Sequence, residues 1–543
     1  MNRENLIEII FLIIVFGCLL YIGPGEVFQH QLKHEKPVQF GATDGFLYVM
    51  LTRHVAETGN FRYNPFYSVA GFNDSIAYHP PLMMHITAAF SHISGLKAHD
   101  ALSLIMALCA IFGAFIVYWL IRSYNKSVAM LAAPLFVFLY VYKFIIGYTW
   151  GEALLYGGSF FLIALFFMMS RPELKHWWVP AGILIGAVMS THTSEAIFFY
   201  GFVVFFLAVK FLLKKLTKSE LKWWLKQLGF ATILALALSF NYLIIFYNGY
   251  YKITGEAYTS LRPMSPEEFG AIQVPPLNDF KMFAMWAIII GAMLALLLVR
   301  KEPHTALLAL GFMLLVGLSN YIGLHYRAFQ TRFLWPIYLA LFFGIAVYFV
   351  LKQFHKGGVI VPAILALAIA AFFVHSYHMP MHPDMIYDGQ WEGFKWVEQN
   401  TPERSRILFL YGDGYSQSLR LIQRLVFLLD PNDFVAMAQE GRFRRMIKTE
   451  PILVSEMYLI YRKNLFDFGF YGKEQNLTIF GAPMDICGFD YYVVDRQSAY
   501  APQLVQIAAQ LGSVIINHNA TPVFQNDQIV ILKNNNVGGE CIA

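Results

Sequence analysis

The stretch KFLLKKLTKSELKWWLK, residues 210–226, places six lysines where two long apolar segments meet. These segments, 195–213 and 225–247, each approach or exceed the roughly 20 apolar residues that a helix needs to cross a bilayer. Short loops rich in Lys and Arg stay on the cytoplasmic side of a membrane. The lysine cluster therefore predicts a transmembrane helical hairpin whose turn lies in the cytoplasm.

The composition of the whole chain agrees with a membrane protein. Its 543 residues are 57% hydrophobic and only 14% charged, whereas soluble domains average about 45–50% apolar and about 25% charged residues. Apolar stretches this long and numerous exceed what one soluble core can bury. The net charge of +5 is then a feature of topology and not a signal for a nucleic-acid partner.

Apolar stretches predict about eleven transmembrane helices. A further segment, PPLMMHITAAFSHISG at 80–95, is only 16 residues long, opens with two prolines and carries His85 and His92, which favours a helix lying at the membrane interface. The eleven predicted spans lie near 6–23, 100–121, 127–146, 153–169, 177–191, 195–213, 225–247, 282–299, 304–323, 333–351 and 357–375.

The distribution of basic residues predicts the orientation of these spans. With a cytoplasmic N-terminus and an interfacial 80–95 segment, the cytoplasmic loops carry fifteen Lys and Arg, and the short outer loops at 147–152 and 191–194 carry none. Counting 80–95 as a span would move the lysine cluster outside, so we reject it. The apolar run 6–23 is too long for a signal-peptide core and is read as a retained span.

This orientation predicts two domains in a plasma membrane. Residues 1–375 form the transmembrane domain, with outer loops at 24–99 and 248–281. Residues 376–543 form an extracytoplasmic α/β domain, because WEGFKWVEQN has a helical pattern and RILFLY, YYVVD and QIVILK have strand patterns. Cys487 and Cys541 lie in this part and could pair outside the cell, although their spacing does not establish it.

Asp44 is the first candidate for chemistry on the predicted outer face. In a helix starting near Thr43, Asp44, Tyr48 and Leu51 share one stripe, so the acid can face inward while the apolar stripe rests on the bilayer surface. The alternative is that Asp44 only caps this helix, a position that aspartate favours.

Two more acids lie at the predicted outer ends of spans. Glu152 follows a short loop without other charges, where it is either a functional group or an acid stabilised by the helix dipole. His192 and Glu195, three residues apart, suit a metal site or a hydrogen-bonded pair, and the alternative is polar packing in a turn.

A long outer loop and one span end complete the candidates. Glu267 and Glu268 follow SP in the loop 248–281, which suits a substrate-contacting loop, a helix start or both. Arg327 and Arg332 lie at the outer end of a span, where a guanidinium suits a phosphate or, alternatively, a lipid headgroup. Carboxylates with a divalent cation (Mg²⁺ or Mn²⁺) and an arginine on a lipid phosphate suit transfer from a lipid-linked donor.

The chain resembles membrane glycosyltransferases of the GT-C type, and most closely the catalytic subunit of oligosaccharyltransferase. TDGFLYVMLTRHVAETGNF is similar to the first-loop acidic motif of that family, GYTWGEA to its second acidic motif, and TRFLWP to its lipid-phosphate region. YHPPLMMHITAAFSHISG resembles its surface helix, and QWEGFKWVEQNTPERSRILFLYGDGY resembles the start of its outer domain.

This resemblance implies roles for individual residues. Asp44 would be the catalytic acid and a metal ligand, Glu152 a second ligand, Arg332 a donor-phosphate contact, and Glu267 or Glu268 the mobile-loop acid. Three departures stand out: Trp150 occupies the place of a further metal-binding residue, LYGDG at 410–414 replaces the acceptor-reading WWDYG, and the spans are fewer than usual. His192, Arg327, Asp413 and Tyr415 are further predicted members of the metal, phosphate and acceptor sites.

The predicted activity is inverting transfer of a sugar or glycan from a polyprenyl-phosphate-linked donor to a protein or glycan acceptor outside the cytoplasm. Two alternatives remain: a transporter or flippase for a lipid-linked substrate, and a GT-C relative without catalysis. A transporter usually has ionisable groups in mid-span and an internal repeat. The candidate acids here lie at span ends, and we find no repeat.

Overall fold

The structure, a computed structural model, describes residues 3–21, 43–61, 63–68, 79–122, 124–133, 163–164, 174–246, 290, 305–318, 335–354, 358–376, 386–411, 421–440, 444–451, 483–496, 509, 513 and 519–539. The chain divides into two compact units. The first unit comprises Met1–Leu32, Pro80–Met83 and Leu102–Pro380; the second comprises Lys33–His79, Met84–Ala101 and Met381–Ala543. The second unit therefore combines most of the predicted first outer loop with the C-terminal part.

The α-helices follow the predicted apolar periodicity. In chain order they are α1 Arg3–Leu20, α2 Thr43–Thr58, α3 Leu82–Ser94, α4 Ala98–Arg122, α5 Trp178–Met189, α6 Thr193–Leu212, α7 Lys218–Phe246, α8 Thr305–Leu318, α9 Trp335–Phe354, α10 Ile360–Ser376, α11 Asp388–Asn400 and α12 Pro431–Glu440.

Several of these helices are suited to a bilayer. Among the described residues, Ala98–Arg122, Glu195–Leu212 and Lys218–Ile244 are long and apolar enough to cross a membrane, and Trp178–Met189 and Ala340–Lys352 are shorter apolar helices. All of them fall on or overlap predicted spans. Much of the predicted spans near 127–146, 153–169 and 282–299 lies outside the described residues.

Helix α7 begins seven residues before the predicted span at 225. The cause is a capping box: the Glu220 amide donates to Thr217 Oγ1 at 3.1 Å, and the Thr217 amide donates to Glu220 Oε2 at 2.8 Å. The helix therefore starts within the lysine cluster, ahead of its apolar part.

Helices α5 and α7 pack closely through small residues. A Cβ on Gly182 would lie 2.9 Å from the Ala231 carbonyl oxygen, so only glycine allows this approach. The Ser239 hydroxyl lies 3.1 Å from both the Gly186 carbonyl oxygen and the Ser190 hydroxyl. Small residues and hydroxyl hydrogen bonds of this kind hold helices together in membranes.

The two ends of α5 contact different parts of the first unit. At its start, Gln227 Nε2 of α7 donates to the Lys175 carbonyl oxygen at 3.2 Å. Beyond its end, the Leu82 amide donates to the Ser190 carbonyl oxygen at 3.0 Å. The start of α3 and the lysine-rich start of α7 thus lie at opposite ends of α5.

A buried charge joins α1 to α4. Glu8 is 3% exposed, and its carboxylate accepts hydrogen bonds from Tyr118 Oη at 2.6 Å and from Arg122 Nη2 at 3.0 Å. Lys126 Nζ lies 3.2 Å from the same carboxylate. Because these donors surround Glu8, its charge is compensated where a lone carboxylate would be costly.

The second unit contains a mixed β-sheet. Its strands are β1 Arg406–Tyr411, β2 Leu425–Leu429, β4 Thr449–Pro451, β6 Tyr491–Asp495, β7 Ala520–Gln525 and β8 Ile529–Asn534, in the order β4-β2-β1-β6-β8-β7. Strand β1 pairs in parallel with β2 and β6, and the other pairings are antiparallel. Short strands β3 Met446–Ile447 and β5 Met484–Asp485 form a separate pair. The three predicted strands and the helix at α11 are confirmed.

Apolar side chains form the core of this sheet. Leu408, Tyr492 and Leu532 are fully buried in its core. Cys487, also fully buried, is disulfide-bonded, whereas Cys18 is a free thiol. Cys541 lies outside the described residues.

Candidate functional site

The helix that carries Asp44 forms where the sequence predicted it. Asp44 is the second residue of α2, so it lies in the first turn, where the helix dipole favours a carboxylate. This places it inside the helix and not at the cap position before it. The side chain of Asp44 lies outside the described part of the chain.

The environment of α2 corrects one expectation. Phe46, Leu47, Met50 and Leu51 are each 5% exposed or less. The sequence predicts that the apolar stripe of α2 rests on the bilayer surface. These side chains are instead packed within the protein. The periodicity of α2 shows an apolar helix but does not show what covers it.

An ion pair anchors α2 to the C-terminal part of the second unit. Arg53 Nη2 donates to Glu398 Oε1 of α11, and Arg53 Nε donates to Glu57 Oε1 at 2.7 Å. Burial disfavours the charged form of Arg53 and lowers its pKa. The charges and hydrogen bonds of Glu398 and Glu57 have the larger combined effect, so the pKa of the guanidinium is raised. Gln423 Nε2 also donates to Glu57 Oε2 at 3.4 Å. The helix that carries Asp44 is therefore fixed by two segments distant in the sequence.

Aromatic and histidine contacts support the same helix. The rings of Tyr48 and His79 meet edge to face with centres 6.4 Å apart, and His92 Nε2 lies 3.0 Å from the Ala56 carbonyl oxygen. His99, in the first turn of α4, meets Trp391 of α11 with ring centres 6.1 Å apart. The residues 79–99 thus contact both α2 and α11.

Arg424 in turn holds the end of α11. It is 8% exposed, and its guanidinium donates to the Thr401 carbonyl oxygen at 2.8 Å and to the Glu398 carbonyl oxygen. These carbonyls belong to the last turn and cap of α11, which lack partners within the helix and attract a cation. Arg424 therefore stabilises the helix turn from which Glu398 reaches Arg53.

Thr52 provides a polar group two turns beyond Asp44. Its side chain is fully buried, and within the described part of the chain its hydroxyl has no hydrogen-bond partner. Leaving a buried hydroxyl unpaired costs about 1–3 kcal/mol. Thr52 is thus a candidate for contacting a polar ligand.

His192 and Glu195 form the predicted pair in the first unit. His192 precedes α6 and Glu195 lies in its first turn, with His192 Nδ1 hydrogen-bonded to Glu195 Oε2. Glu195 is fully buried, and its Oε1 has no hydrogen-bond partner among the described groups. This contact leaves Nε2 as the ring nitrogen that can bind another group.

The His192–Glu195 pair meets one requirement of a metal centre. A histidine that binds a metal through one nitrogen usually donates from the other to a carboxylate, which fixes the ring. A complete ligand set needs further donors, and the described residues include no group of three potential ligands. Glu152 and the Asp44 side chain, the other two predicted ligands, lie outside the described part.

The remaining predicted site residues also lie outside the described ranges. These are Glu267, Glu268, Arg327, Arg332, Asp413 and Tyr415. Asp413 and Tyr415 follow shortly after β1 in the sequence. The carboxyl ends of parallel strands commonly border ligand sites, so this position remains compatible with an acceptor-side role.

Sequence reasoning missed the residues that position α2. Arg53 and Glu57 are spaced i, i+4 on a helix, a pattern that signals an ion pair. Their partner Glu398 is 345 positions away from Arg53, and no local pattern indicates it. Arg424 likewise carries no signal in its neighbourhood that predicts a helix cap.

The structure is similar to solved membrane glycosyltransferases. The match with ArnT from Cupriavidus metallidurans bound to undecaprenyl phosphate covers 99% of this chain and 100% of that chain, with a TM-score of 0.56 and 12% identity. The apo form of that protein gives a TM-score of 0.51, 11% identity and coverage of 97% and 99%. The oligosaccharyltransferase of Archaeoglobus fulgidus gives 0.48 and 14% identity, and the match covers 77% of this chain but only 64% of that one.

No family model and no curated protein matches the sequence. At identities this low the structural likeness establishes the fold alone. The chain therefore shares the fold of ArnT, a polytopic helical membrane fold, in agreement with the resemblance to GT-C proteins in its sequence.

Proposed function

We propose that this protein transfers a sugar or glycan from a polyprenyl-phosphate-linked donor to a protein or glycan acceptor on the outer face of a plasma membrane. The observation that carries the proposal is the likeness to ArnT with bound undecaprenyl phosphate, which extends over nearly the whole of both chains. The acidic first-loop motif at Asp44 supports it. In this proposal the N-terminus is cytoplasmic, residues 376–543 are extracytoplasmic, and about eleven helices span the membrane.

The proposed reaction is an inverting substitution at the anomeric carbon. The acceptor attacks this carbon opposite the phosphate, the bond between the carbon and the phosphate oxygen breaks, and the polyprenyl phosphate or diphosphate leaves. Asp44 orients the acceptor and takes its proton. Arg332, with Arg327, holds the donor phosphate, since the planar guanidinium fork matches phosphate oxygens.

The other residues complete the proposed site. Asp44, Glu152 and His192 would hold a divalent cation, Mg²⁺ or Mn²⁺, which would offset charge on the leaving phosphate. Glu195 fixes the His192 ring through the observed hydrogen bond. Glu267 or Glu268 is the mobile-loop acid of the loop 248–281, and Asp413 with Tyr415 contacts the acceptor.

Two arrangements in the second unit support a precisely held Asp44. Helix α2 is tied to α11 through Arg53 and Glu398, and Arg424 stabilises the end of α11. Catalytic groups need such support, because small displacements of a reacting group reduce the rate strongly. The disulfide at Cys487 also suits an oxidising compartment outside the cytoplasm.

Donor binding tests the proposal first. The purified full-length chain is titrated with undecaprenyl phosphate, and binding is followed by thermal stabilisation. Arg332→Gln should weaken binding about tenfold, the loss of roughly one charge-assisted hydrogen bond, and Arg332→Lys should weaken it less. Arg3→Gln, at the opposite end of the predicted topology, is the control. Failure of the natural chain to bind undecaprenyl phosphate would contradict the proposal.

Covalent transfer then separates an enzyme from its alternatives. The chain is incubated with polyprenyl-phosphate-linked sugars in a membrane lipid extract, and sugar lost from the lipid is measured. A flippase would move the lipid without cleaving the sugar–phosphate bond. A relative without catalysis would bind the donor and leave it intact.

A further inference from the structure

The turn between α6 and α7 concentrates positive charge. Residues 210–226 hold six lysines and one acid, Glu220. That acid is occupied, because its Oε2 accepts hydrogen bonds from the Thr217 amide at 2.8 Å and the Thr217 hydroxyl at 2.9 Å. Within the described residues, Lys214, Lys218 and Lys222 form no ion pair with any acid. The turn therefore carries an excess of cationic charge.

Like charges are stacked along one face of α7. Lys218, Lys222 and Lys226 follow each other at four-residue intervals, and all three are exposed. Side chains spaced i, i+4 are neighbours on a helix, so like charges at this spacing destabilise it. Basic residues in a loop are enough to set the orientation of the neighbouring spans. They need not be spaced along one helix face for this purpose. An anion bound at this face would offset the repulsion.

A further lysine occupies an unfavourable backbone conformation. Helix α6 ends in a Schellman motif: the Lys215 amide donates to the Lys210 carbonyl at 2.8 Å, and the Lys214 amide donates to the Phe211 carbonyl at 2.9 Å. Lys214 itself has φ +55°, the left-handed region in which glycine is preferred. A lysine at this position keeps a cation where glycine would be the less strained residue.

Apolar side chains border these lysines. Phe211, Leu212 and Leu225 are 68%, 69% and 59% exposed. The Lys210 ammonium lies 5.4 Å from the centre of the Phe206 ring, and Lys226 lies 5.9 Å from that of Phe230. Long lysine stems along apolar helix ends, with their ammonium groups at the edge, are typical of the boundary between acyl chains and headgroups.

We propose that residues 210–226 form a binding site for anionic phospholipids in the leaflet that this turn faces. The phosphate and anionic headgroup lie between Lys214, Lys218 and Lys222, while the acyl chains lie along Phe211, Leu212 and Leu225. Clusters of four to eight basic residues beside a membrane helix attract anionic lipid in this way. The site does not depend on the proposed sugar transfer or on which leaflet it faces.

Trp223, within the cluster, reports on lipid contact. The full-length chain and its Trp223→Phe variant are reconstituted in bilayers with equal mole fractions of brominated phosphatidylglycerol or brominated phosphatidylcholine. The difference in their tryptophan emission isolates quenching at Trp223. We expect phosphatidylglycerol to quench more strongly, and we expect this preference to decrease at high salt because ions screen the lysines.

Matched variants test the lysines. The double variant Lys218→Gln with Lys222→Gln should have a weaker preference for phosphatidylglycerol over phosphatidylcholine. We expect a reduction of about fivefold for each lysine, because a basic residue near an anionic surface contributes about 1 kcal/mol. Arg3→Gln with Lys352→Gln removes the same charge from other exposed positions and should keep the preference. Lys214→Gly relieves the backbone strain, so this variant should fold at least as well as the natural chain. Its preference for phosphatidylglycerol over phosphatidylcholine should still fall about fivefold.

Three results would overturn the proposal. One is equal quenching of Trp223 by both lipids in the natural chain. Another is an unchanged phosphatidylglycerol preference in Lys214→Gly, a variant that remains informative if the double lysine variant fails to fold. A loss that is equal in the Arg3 and Lys352 control would mean that total charge, and not this cluster, selects the lipid.

Discussion

Arg53 and Glu398, 345 positions apart in the sequence, form an ion pair that joins α2 to α11. Glu57 and Gln423 extend this contact on either side. Because Asp44 lies in the first turn of α2, the C-terminal part of the chain holds the helix that carries the proposed catalytic acid. The C-terminal α/β fold thus contributes to the proposed site through positioning.

Replacing Glu398 tests this positioning. Glu398→Gln removes the charge that pairs with Arg53, and we expect a loss of roughly 1–2 kcal/mol of stability for a half-buried, charged hydrogen bond. Amide hydrogen exchange in α2 should accelerate more than exchange in β1 or β6. Transfer should slow through kcat, with KM for the donor little changed.

The exposed neighbour Glu403 supplies the control for this experiment. Glu403→Gln changes the same charge near α11 but removes no ion pair of the described residues, so α2 exchange should stay unchanged. Restoring a reversed pair in Arg53→Glu with Glu398→Arg should recover part of the loss. Equal effects of Glu398→Gln and Glu403→Gln would show that the pair does not hold α2.

The local elements of this fold follow from the sequence, and the contacts between distant segments do not. The periodicity of residues 43–58 and of RILFLY and YYVVD predicts α2, β1 and β6, because each pattern is local. The His192–Glu195 contact is also local, since its two residues are three positions apart. Arg53 and Glu398 meet only after the chain has folded, so neither flanking sequence reveals the other.

One expectation failed for a physical reason. The apolar stripe of α2 suggests a bilayer-facing surface, but an apolar side chain is equally well accommodated by protein, and Leu51 is 1% exposed. The predicted span 225–247 falls on α7, and its apolar pattern marks only the membrane part of that helix. Thr217 and Glu220 extend the helix into the lysine cluster, where hydropathy is low.

The buried hydroxyl of Thr52 leads us to predict that this residue contacts a polar substrate. Thr52→Val keeps the shape of the side chain and removes its hydroxyl, which has no hydrogen-bond partner among the described groups. Stability should therefore stay equal or rise by about 1 kcal/mol, since an unpaired buried hydroxyl is costly. KM for the donor or acceptor should rise several-fold.

Thermal unfolding together with steady-state transfer checks this effect of Thr52. Thr87→Val, another fully buried threonine of the second unit, serves as the comparison. A clear loss of stability in Thr52→Val would mean that its hydroxyl is structural. Unchanged KM values for both substrates would remove it from the substrate site.

Metal removal tests the role of His192. Chelation with EDTA should abolish transfer, and Mg²⁺ or Mn²⁺ should restore it. His192→Ala should raise the metal concentration needed for half-maximal activity, and Glu195→Gln should raise it about 10–100-fold by releasing the ring. His176→Ala, an exposed histidine before α5, is the control. Full activity after exhaustive chelation would exclude this metal from the proposed reaction.

We predict that the stability of the protein depends strongly on the buried carboxylate of Glu8. Glu8→Gln leaves Arg122 and Lys126 without their buried counter-charge, and removing one partner of such a cluster costs about 3 kcal/mol. The melting temperature in detergent should fall accordingly, while donor binding at low temperature persists. The exposed neighbour Glu4, changed to Gln, should have a much smaller effect. Equal melting temperatures for both variants would show that the cluster contributes little.

The most direct test of the central claim is sugar transfer by Asp44→Asn protein. Asparagine keeps the size of the side chain but cannot take a proton, so release of sugar from the polyprenyl-phosphate donor should fall by about 10²–10⁴-fold. Binding of undecaprenyl phosphate and the melting temperature should remain near those of the natural chain. Unchanged transfer by Asp44→Asn protein would contradict the account, because its proposed acid would then have no part in the reaction.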